Sequence, residues 1–251
     1  MDTIGPLTKT VKDSAYLLQS IVGIDAHDNY TSAIPDNADT DFISACNLSA
    51  LQGARLGVPH NVINLMSDST TASTIAAFNA TLPILRSSGA TILETDFPSA
   101  QEFLADDLLG LKIMAADFLV GIEKYLAQLT HNPHNITTLA ELRDWTRKHP
   151  LEGYPAKSTG VWDFALRNAN NTSPAFWEAY QRGLYYDNEG GLLGTIKRYR
   201  LDAVLLPSQF AWSYAAVAGA PVVSIPLGAM PADQPVVVDA DGLVASAPNI
   251  P

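Results

Sequence analysis

Two rhythms alternate along this chain. From Val11 to Val22 the apolar residues recur at helical spacing, with Val11, Ala15, Leu17, Leu18, Ile21 and Val22 mostly on one face and Gly23 as the stop. The Asp- and Asn-rich stretch that follows, to about Thr40, has no period and reads as a solvated loop. "ARLGVP" (Ala54 to Pro59) is a short apolar run stopped by proline, which predicts a strand. Helical spacing from about Ser69 to Ser87, then Gly89 and the β-branched run of "GATILETDFP", predicts a helix and a second strand.

From Ala100 to Lys148 the pattern is helical, and "LLGLKIMAADFLVGIEKYLAQL" is strongly apolar. Lys112, Asp117, Glu123 and Lys124 interrupt it, so a core helix is expected rather than a membrane span. "HPLEGYPAKSTG" is a loop. Pro174 to Arg200 forms a long helix with a break expected at Gly190-Gly191. "DAVLLPS" (Asp202 to Ser208) is a near-continuous apolar run, as in a parallel strand covered on both faces. "AAVAGAPVVSIPLG" predicts a small-residue helix, a turn at Gly219 and a further strand ending at Pro226. "QPVVVDADGLVAS" predicts a hairpin turning at Asp241-Gly242. The fold class expected is α/β, a mixed sheet covered by helices on both faces, in one domain over residues 1–251.

Composition narrows the function. The chain is 47% hydrophobic and 16% charged, a globular mixture, with a formal net charge of −11. That charge argues against nucleic acid and against an anionic membrane surface as partners. No basic segment followed by an apolar one stands at the start, so no signal peptide is visible. Cys46 is the single cysteine, which excludes an internal disulfide and a thiolate cluster; with no base nearby it reads as structural or incidental. Acceptor patterns N-x-[ST] begin at Asn29, Asn47, Asn79, Asn135, Asn170 and Asn171, where chance would give roughly two. They are glycosylation candidates and point to a secreted protein, with coincidence and cytoplasmic residence as the alternative.

Motifs that declare a chemistry are missing: there is no G-x-S-x-G elbow, H-E-x-x-H or phosphate-binding glycine loop. His131 and His134 sit in a Pro-broken polar loop, a weak metal site. "EGGLLG" follows no strand, a weak dinucleotide site. Asp36, Asp39, Asp41 and the Asp106-Asp107 pair read as solvated loop or helix-end charges. No metal and no cofactor is expected.

The order of segments says more than any motif. "DTIGPLTKTVKDSAYLLQSIVGID" resembles the turn and helix that follow the catalytic core of the amidase signature family. "LQGARLGVP" resembles that family's next strand, "FNATLPILRSSGATILETDFP" its next helix and strand, and "LDAVLLPS" and "AAVAGAPVVSIPLG" its late strand and Gly-Pro turn. The match runs in order over most of the chain, with residues 106–195 variable, and "APNIP" and the sequons look most like fungal members. The resemblance implies hydrolysis of a small-molecule carboxamide by a serine nucleophile, a second serine before a cis peptide bond, and a lysine. By the same resemblance all three belong upstream of Met1, and family members continue past the equivalent of "PNIP" into a strand and a helix.

No catalytic residue is therefore assigned within this chain, and it is expected to be inactive alone. The resemblance places Asp2, Thr3 and Gly5 behind the nucleophile loop and gives Gly219, Ala220 and Pro221 the turn beside the site. Helices over about 101–200, a variable insertion, would wall an acyl pocket through Phe103, Leu109, Met114 and Phe118, for which core packing is the alternative role. The sheet, lacking strands, should expose unpaired edges. Two other readings stay open: a non-catalytic, amidase-derived binding module, and a hydrolase using Ser208, Ser213 or Ser224 with a histidine.

Overall fold

The computed structural model describes residues 4–106, 108–238 and 243–249. Helix α1 (Val11–Ile21) starts where Thr10 Oγ1 accepts the Asp13 N–H at 3.1 Å, an N-cap that satisfies one orphan donor of the first turn. Its apolar stripe is mostly uncovered: Ala15 is buried, but Val11, Leu17 and Ile21 are 43%, 49% and 55% exposed. The loop after it holds a 3₁₀ turn over Asn29–Ala33, and Asp41 caps the single turn of α2 (Phe42–Ala45).

The sheet begins with β1 (Arg55–Pro59), followed by α3 (His60–Met66) and α4 (Ala72–Ser87). Beyond α4, Gly89 takes φ +97° and its N–H donates to the Arg86 carbonyl, while the Ala90 N–H donates to the Leu85 carbonyl, both at 3.1 Å. This left-handed closure turns the chain into β2 (Thr91–Thr95), which lies parallel to β1 with Arg55 opposite Thr91 and Pro59 opposite Thr95.

The chain then runs through α5 (Ala100–Ala105), α6 (Leu109–Ala127), α7 (Leu139–Lys148), α8 (Gly160–Asn168), α9 (Pro174–Asp187) and α10 (Leu192–Tyr199). It returns as β3 (Ala203–Val204) on the free edge of β1, Leu56 opposite Ala203. Hydrogen bonds from Asp202 N–H to the Arg55 carbonyl (2.9 Å) and from Leu205 N–H to the Gly57 carbonyl (2.8 Å) extend that pairing. The order β2-β1-β3 is all parallel. Helix α11 (Ser208–Ala218) follows, and β4 (Val237–Val238) and β5 (Val244–Ser246) form a separate antiparallel ribbon. The fold is α/β as expected; among the described residues antiparallel pairing occurs in that ribbon and in one isolated bridge between Asp25 and Asp28, and the turn expected at Asp241-Gly242 lies outside the described residues.

One expected strand does not form. Between Pro221 and Ala229 the structure has no strand, and among the described residues these backbone groups take no hydrogen-bond partner. A strand exists only against a neighbour, and both edges of β1 are already occupied.

The chain divides into two compact units. Unit 1 takes the described residues of Met1–Asp96, Thr195–Ala215 and Ala220–Pro251; unit 2 takes Phe97–Gly194 and Ala216–Gly219. The core of unit 1 is Val58, Ile63, Phe78, Leu82 and Phe210, so strand, α3, α4 and α11 contribute to one cluster. In unit 2, Leu109, Ile113, Ala179 and Tyr186 join α6 to α9, and Ala115, Leu139 and Ala165 join α6 to α7 and α8. No helix among the described residues is long and apolar enough to cross a membrane.

The glycines of "EGGLLG" have a structural role. A Cβ on Gly190 would meet the Ser99 Oγ at 2.6 Å, and one on Gly191 would fall on the Tyr186 carbonyl oxygen. Gly190 O accepts from both Ser99 N–H (2.9 Å) and Ser99 Oγ (2.8 Å). By contrast, Gly121 in α6 has open space where its Cβ would stand. Gly191→Ala should destabilise unit 2 by about 2–4 kcal/mol through backbone overlap. Gly121→Ala should stabilise it by about 0.5–1 kcal/mol through lower chain entropy. Urea denaturation of both variants checks the opposed signs.

Candidate functional site

In an open parallel sheet, ligands bind beyond the carboxyl ends of the strands, where neighbouring connections diverge. In unit 1 the chain leaves β1 toward β2 and later returns on the opposite edge as β3, so the divergence lies between β1 and β3. The groups at those strand ends are His60 after β1, Glu94 and Thr95 on β2, and Ser208 at the start of α11. His60 Nε2 lies 2.6 Å from Glu94 Oε2 on a partly exposed surface. Thr95 is 6% exposed and its hydroxyl has no hydrogen-bond partner.

The remaining groups at this end of the sheet hold structure. Asp96 accepts from Tyr199 OH at 2.9 Å on Oδ1, and from the fully buried Thr195 hydroxyl at 2.8 Å on its backbone oxygen. Donation to Asp96, and then burial, pushes the Tyr199 phenol up. At the opposite end Arg55 clamps the neighbouring chain: its N–H meets Asp202 Oδ2 at 2.8 Å, and its guanidinium reaches the Arg200 and Tyr199 carbonyls, each at 2.9 Å.

Serine-centred pairs are missing from this surface. Ser208, Ser213 and Ser224 hydroxyls take no hydrogen-bond partner among the described residues, and the bond that His60 makes is to Glu94. Ser87 and Ser88 both donate to the Ile84 carbonyl at 2.9 Å, as residues closing α4. Every lysine of the sequence (Lys9, Lys12, Lys112, Lys124, Lys148, Lys157 and Lys197) is exposed.

Unit 2 contains a cavity of about 240 Å³ whose wall includes Ala116 of α6, Phe164 and Asn168 of α8, and Ser173 and Phe176 at the start of α9, with Lys112 at its edge. Aromatic and alanine side chains form its apolar wall, and amide and hydroxyl groups give it a polar margin, the composition of a small-molecule recess. The sequence reading assigned nothing to Asn168 or Ser173, because the residues facing them across the recess are far away in sequence.

The residues singled out from sequence separate into four groups. Phe103 and Leu109 pack on the Ile113–Tyr186 cluster, with the Phe103 and Tyr186 rings edge to face at 5.6 Å. Met114 and Phe118 lie elsewhere on α6, 49% and 39% exposed. Gly219, at φ +62°, closes α11: the Ala220 N–H donates to the Ala215 carbonyl at 3.0 Å, and Pro221 leaves the turn exposed. Gly5 is exposed, and Asp2 and Thr3 lie outside the described residues.

Of the sequon asparagines, Asn79 and Asn135 are exposed, and Asn171 is half-buried. Asn47 caps a 3₁₀ turn, and Asn170 Oδ1 accepts from the Thr172 hydroxyl at 2.8 Å; the Asn29 side chain is outside the description. Cys46 is exposed and free. Asp106 is ion-paired, its Oδ2 lying 2.7 Å from Arg182 Nε, where the sequence suggested a solvated charge. Among the described residues no cluster of His, Cys, Asp and Glu could hold a metal.

Comparison with known proteins gives a consistent result. The sequence profile of a family described as Amidase matches residues 1–212. A protein of Arthroderma benhamiae named "Putative amidase" is 44% identical over 252 residues, covering 100% of this chain and 42% of that protein. A protein of Schizosaccharomyces pombe that also carries the name "Putative amidase" is 26% identical over 260 residues, covering 90% of this chain and 43% of its own length. The solved peptide amidase of Stenotrophomonas maltophilia superposes with a TM-score of 0.68 at 21% identity, over 86% of this chain and 44% of that one. This chain thus spans less than half the length of each of these relatives.

One titratable group in unit 2 is under strain from burial. Asp187, the last residue of α9, is 8% exposed; its Oδ1 has no hydrogen-bond partner, and burial pushes its carboxyl up. A carboxyl whose folded value lies above its unfolded one holds its proton more tightly when folded. Stability therefore falls as pH rises from the ordinary carboxylate range through the raised folded value, and stays reduced above it. Asp187→Asn should stabilise the protein at pH 7 by about 1 kcal/mol, with the gain shrinking toward pH ~4. Thermal melts of both proteins at the two pH values test this.

Proposed function

The chain belongs to the amidase family, and on that premise we propose that it is part of a hydrolase of carboxamide C–N bonds whose bond-breaking groups lie outside it. The observation that carries the reading is the family match over residues 1–212, supported by the fold likeness to a peptide amidase.

Amide hydrolysis by a serine needs a base to take the hydroxyl proton, and a lysine can do so only when held unprotonated in a buried site. No lysine here has that setting, since all are exposed. Backbone donors are also needed to stabilise the oxyanion, and losing one such donor costs roughly 10²–10³ in rate. The Ser87-Ser88 pair supplies neither: it closes a helix with both hydroxyls committed to one carbonyl.

The contribution of this chain is binding and position. The recess formed by Ala116, Phe164 and Phe176 is suited to an apolar acyl group, with Asn168 and Ser173 as polar contacts. The site is read as a single domain's, with residues 101–200 supplying the pocket walls.

The purified chain, folded by circular dichroism, should show no turnover of aromatic or aliphatic amides above background. Turnover that one substitution at Ser208, Ser213 or Ser224 abolishes would replace this reading with a self-sufficient hydrolase.

A further inference from the structure

The recess in unit 2 has a surplus of donors that an apolar acyl group alone would leave unused. Among the described residues of its wall there is one cation, Lys112, and no carboxylate, although the sequence holds 26 Asp and Glu against 15 Lys and Arg. Lys112 is exposed at the edge of the recess, and among the described residues its ammonium forms no ion pair.

The side-chain amides on the margin are committed unequally. Asn170 Oδ1 accepts from both the Thr172 N–H (2.9 Å) and the Thr172 hydroxyl (2.8 Å). A backbone N–H can only donate, so the Asn170 oxygen is fixed toward Thr172. Its Nδ2 hydrogens then have no partner among the described residues. Asn168 Nδ2 donates to the Phe164 carbonyl at 3.0 Å, which leaves its oxygen as an acceptor. The Ser173 hydroxyl is used twice, donating to the Asn170 carbonyl at 2.8 Å and accepting the Phe176 N–H at 3.2 Å.

A matching ligand has an apolar body for Ala116, Phe164 and Phe176 and a negatively charged, acceptor-only end for Lys112 and Asn170. An ionised carboxylate accepts and never donates, and its hydrogen bonds to a cation are stronger than neutral ones. At about 240 Å³ the recess lies below the range of drug-sized pockets, which limits the body to about one ring with a short chain. We propose that the recess binds a small apolar carboxylate, so that the amide selected here carries a free carboxylate on its apolar part. Calling that ligand a substrate rests on the function proposed above; the binding does not.

The test titrates the ¹⁵N-labelled 251-residue chain at low salt with phenylacetate, its neutral counterpart phenylacetamide, and acetate. Phenylacetate should bind about three- to tenfold more tightly than phenylacetamide. It should bind at least about tenfold more tightly than acetate, which has the charge without the ring. The side-chain amide signals of Asn170 should move with phenylacetate. Lys112→Gln removes the cation, and Asn170→Asp removes the amide donors while keeping the oxygen that holds Thr172. Each should weaken phenylacetate binding by about threefold or more and leave phenylacetamide binding within about twofold, with circular dichroism unchanged. Added salt should weaken phenylacetate binding and spare phenylacetamide.

Absence of phenylacetate binding overturns the proposal, and so does equal affinity for phenylacetate and phenylacetamide. Acetate binding as tightly as phenylacetate, binding that neither substitution weakens, and binding that leaves the Asn170 signals in place do the same. Turnover plays no part in this readout. Loss of the hydrolase reading therefore leaves the carboxylate site standing, and failure of the titrations leaves the hydrolase reading standing.

Discussion

A strand persists only against a neighbour, and among the described residues β1 is the one strand with a partner on each edge. β1 carries β2 along one edge and β3 along the other, and Val58 and Pro59 within it are fully buried. The pairing dictates residue size nearby: a Cβ on Gly57 would run into the Leu201 side chain and would lie 3.2 Å from Thr95 Cγ2. Arg55 fixes the opposite end by binding the carbonyls of the returning chain. Helices α3, α4 and α11 then have a surface on which to bury Ile63, Phe78, Leu82 and Phe210. β3 is only Ala203–Val204, yet the apolar run continues past it: Leu205 N–H donates to the Gly57 carbonyl, and half-buried Leu205 and Leu206 pack against the same core.

Legibility in the sequence followed the range of the interactions involved. β1, β2 and α4 were readable because their signals are local: a proline stop, a β-branched run, and a glycine where the backbone requires positive φ. The break in the helix after Asp187 was readable for the same reason, since its glycines sit where no Cβ fits. Three helices were missed. α2 is a single turn and α3 only seven residues long, too short for a helical period to show, and α8 opens at Gly160 with no side-chain cap, so it lacks the usual start signal. The strand expected up to Pro226 failed for the opposite reason: its sequence is strand-like, but the strand depends on a neighbour that local sequence does not encode.

The candidate site shows the same division. Residues chosen for apolarity on α6 were placed correctly on a helix, yet Leu109 went to the core and Met114 and Phe118 to the surface, because the helix phase relative to α9 was not available from spacing alone. The recess between α6, α8 and α9 is lined by residues more than fifty positions apart in the chain, as Lys112 and Ser173 are. Family membership was legible because it resides in the order of segments, and order survives where single positions drift. Acidity, by comparison, said little: several of the carboxylates are spent on local work, such as Asp41 and Glu141 at helix starts.

Residues 97–194 enter and leave by ends that are each tied off locally. Inside the helical unit, Ser99 holds Gly190 by two hydrogen bonds; inside the sheet unit, Thr195 holds the Asp96 carbonyl. Once the ends of an insertion are closed, its length costs the host fold little, because closure entropy grows only logarithmically with added residues. A helical stretch closed off in this way tolerates the gain, loss or reshaping of helices at little cost to the strand pairing it interrupts.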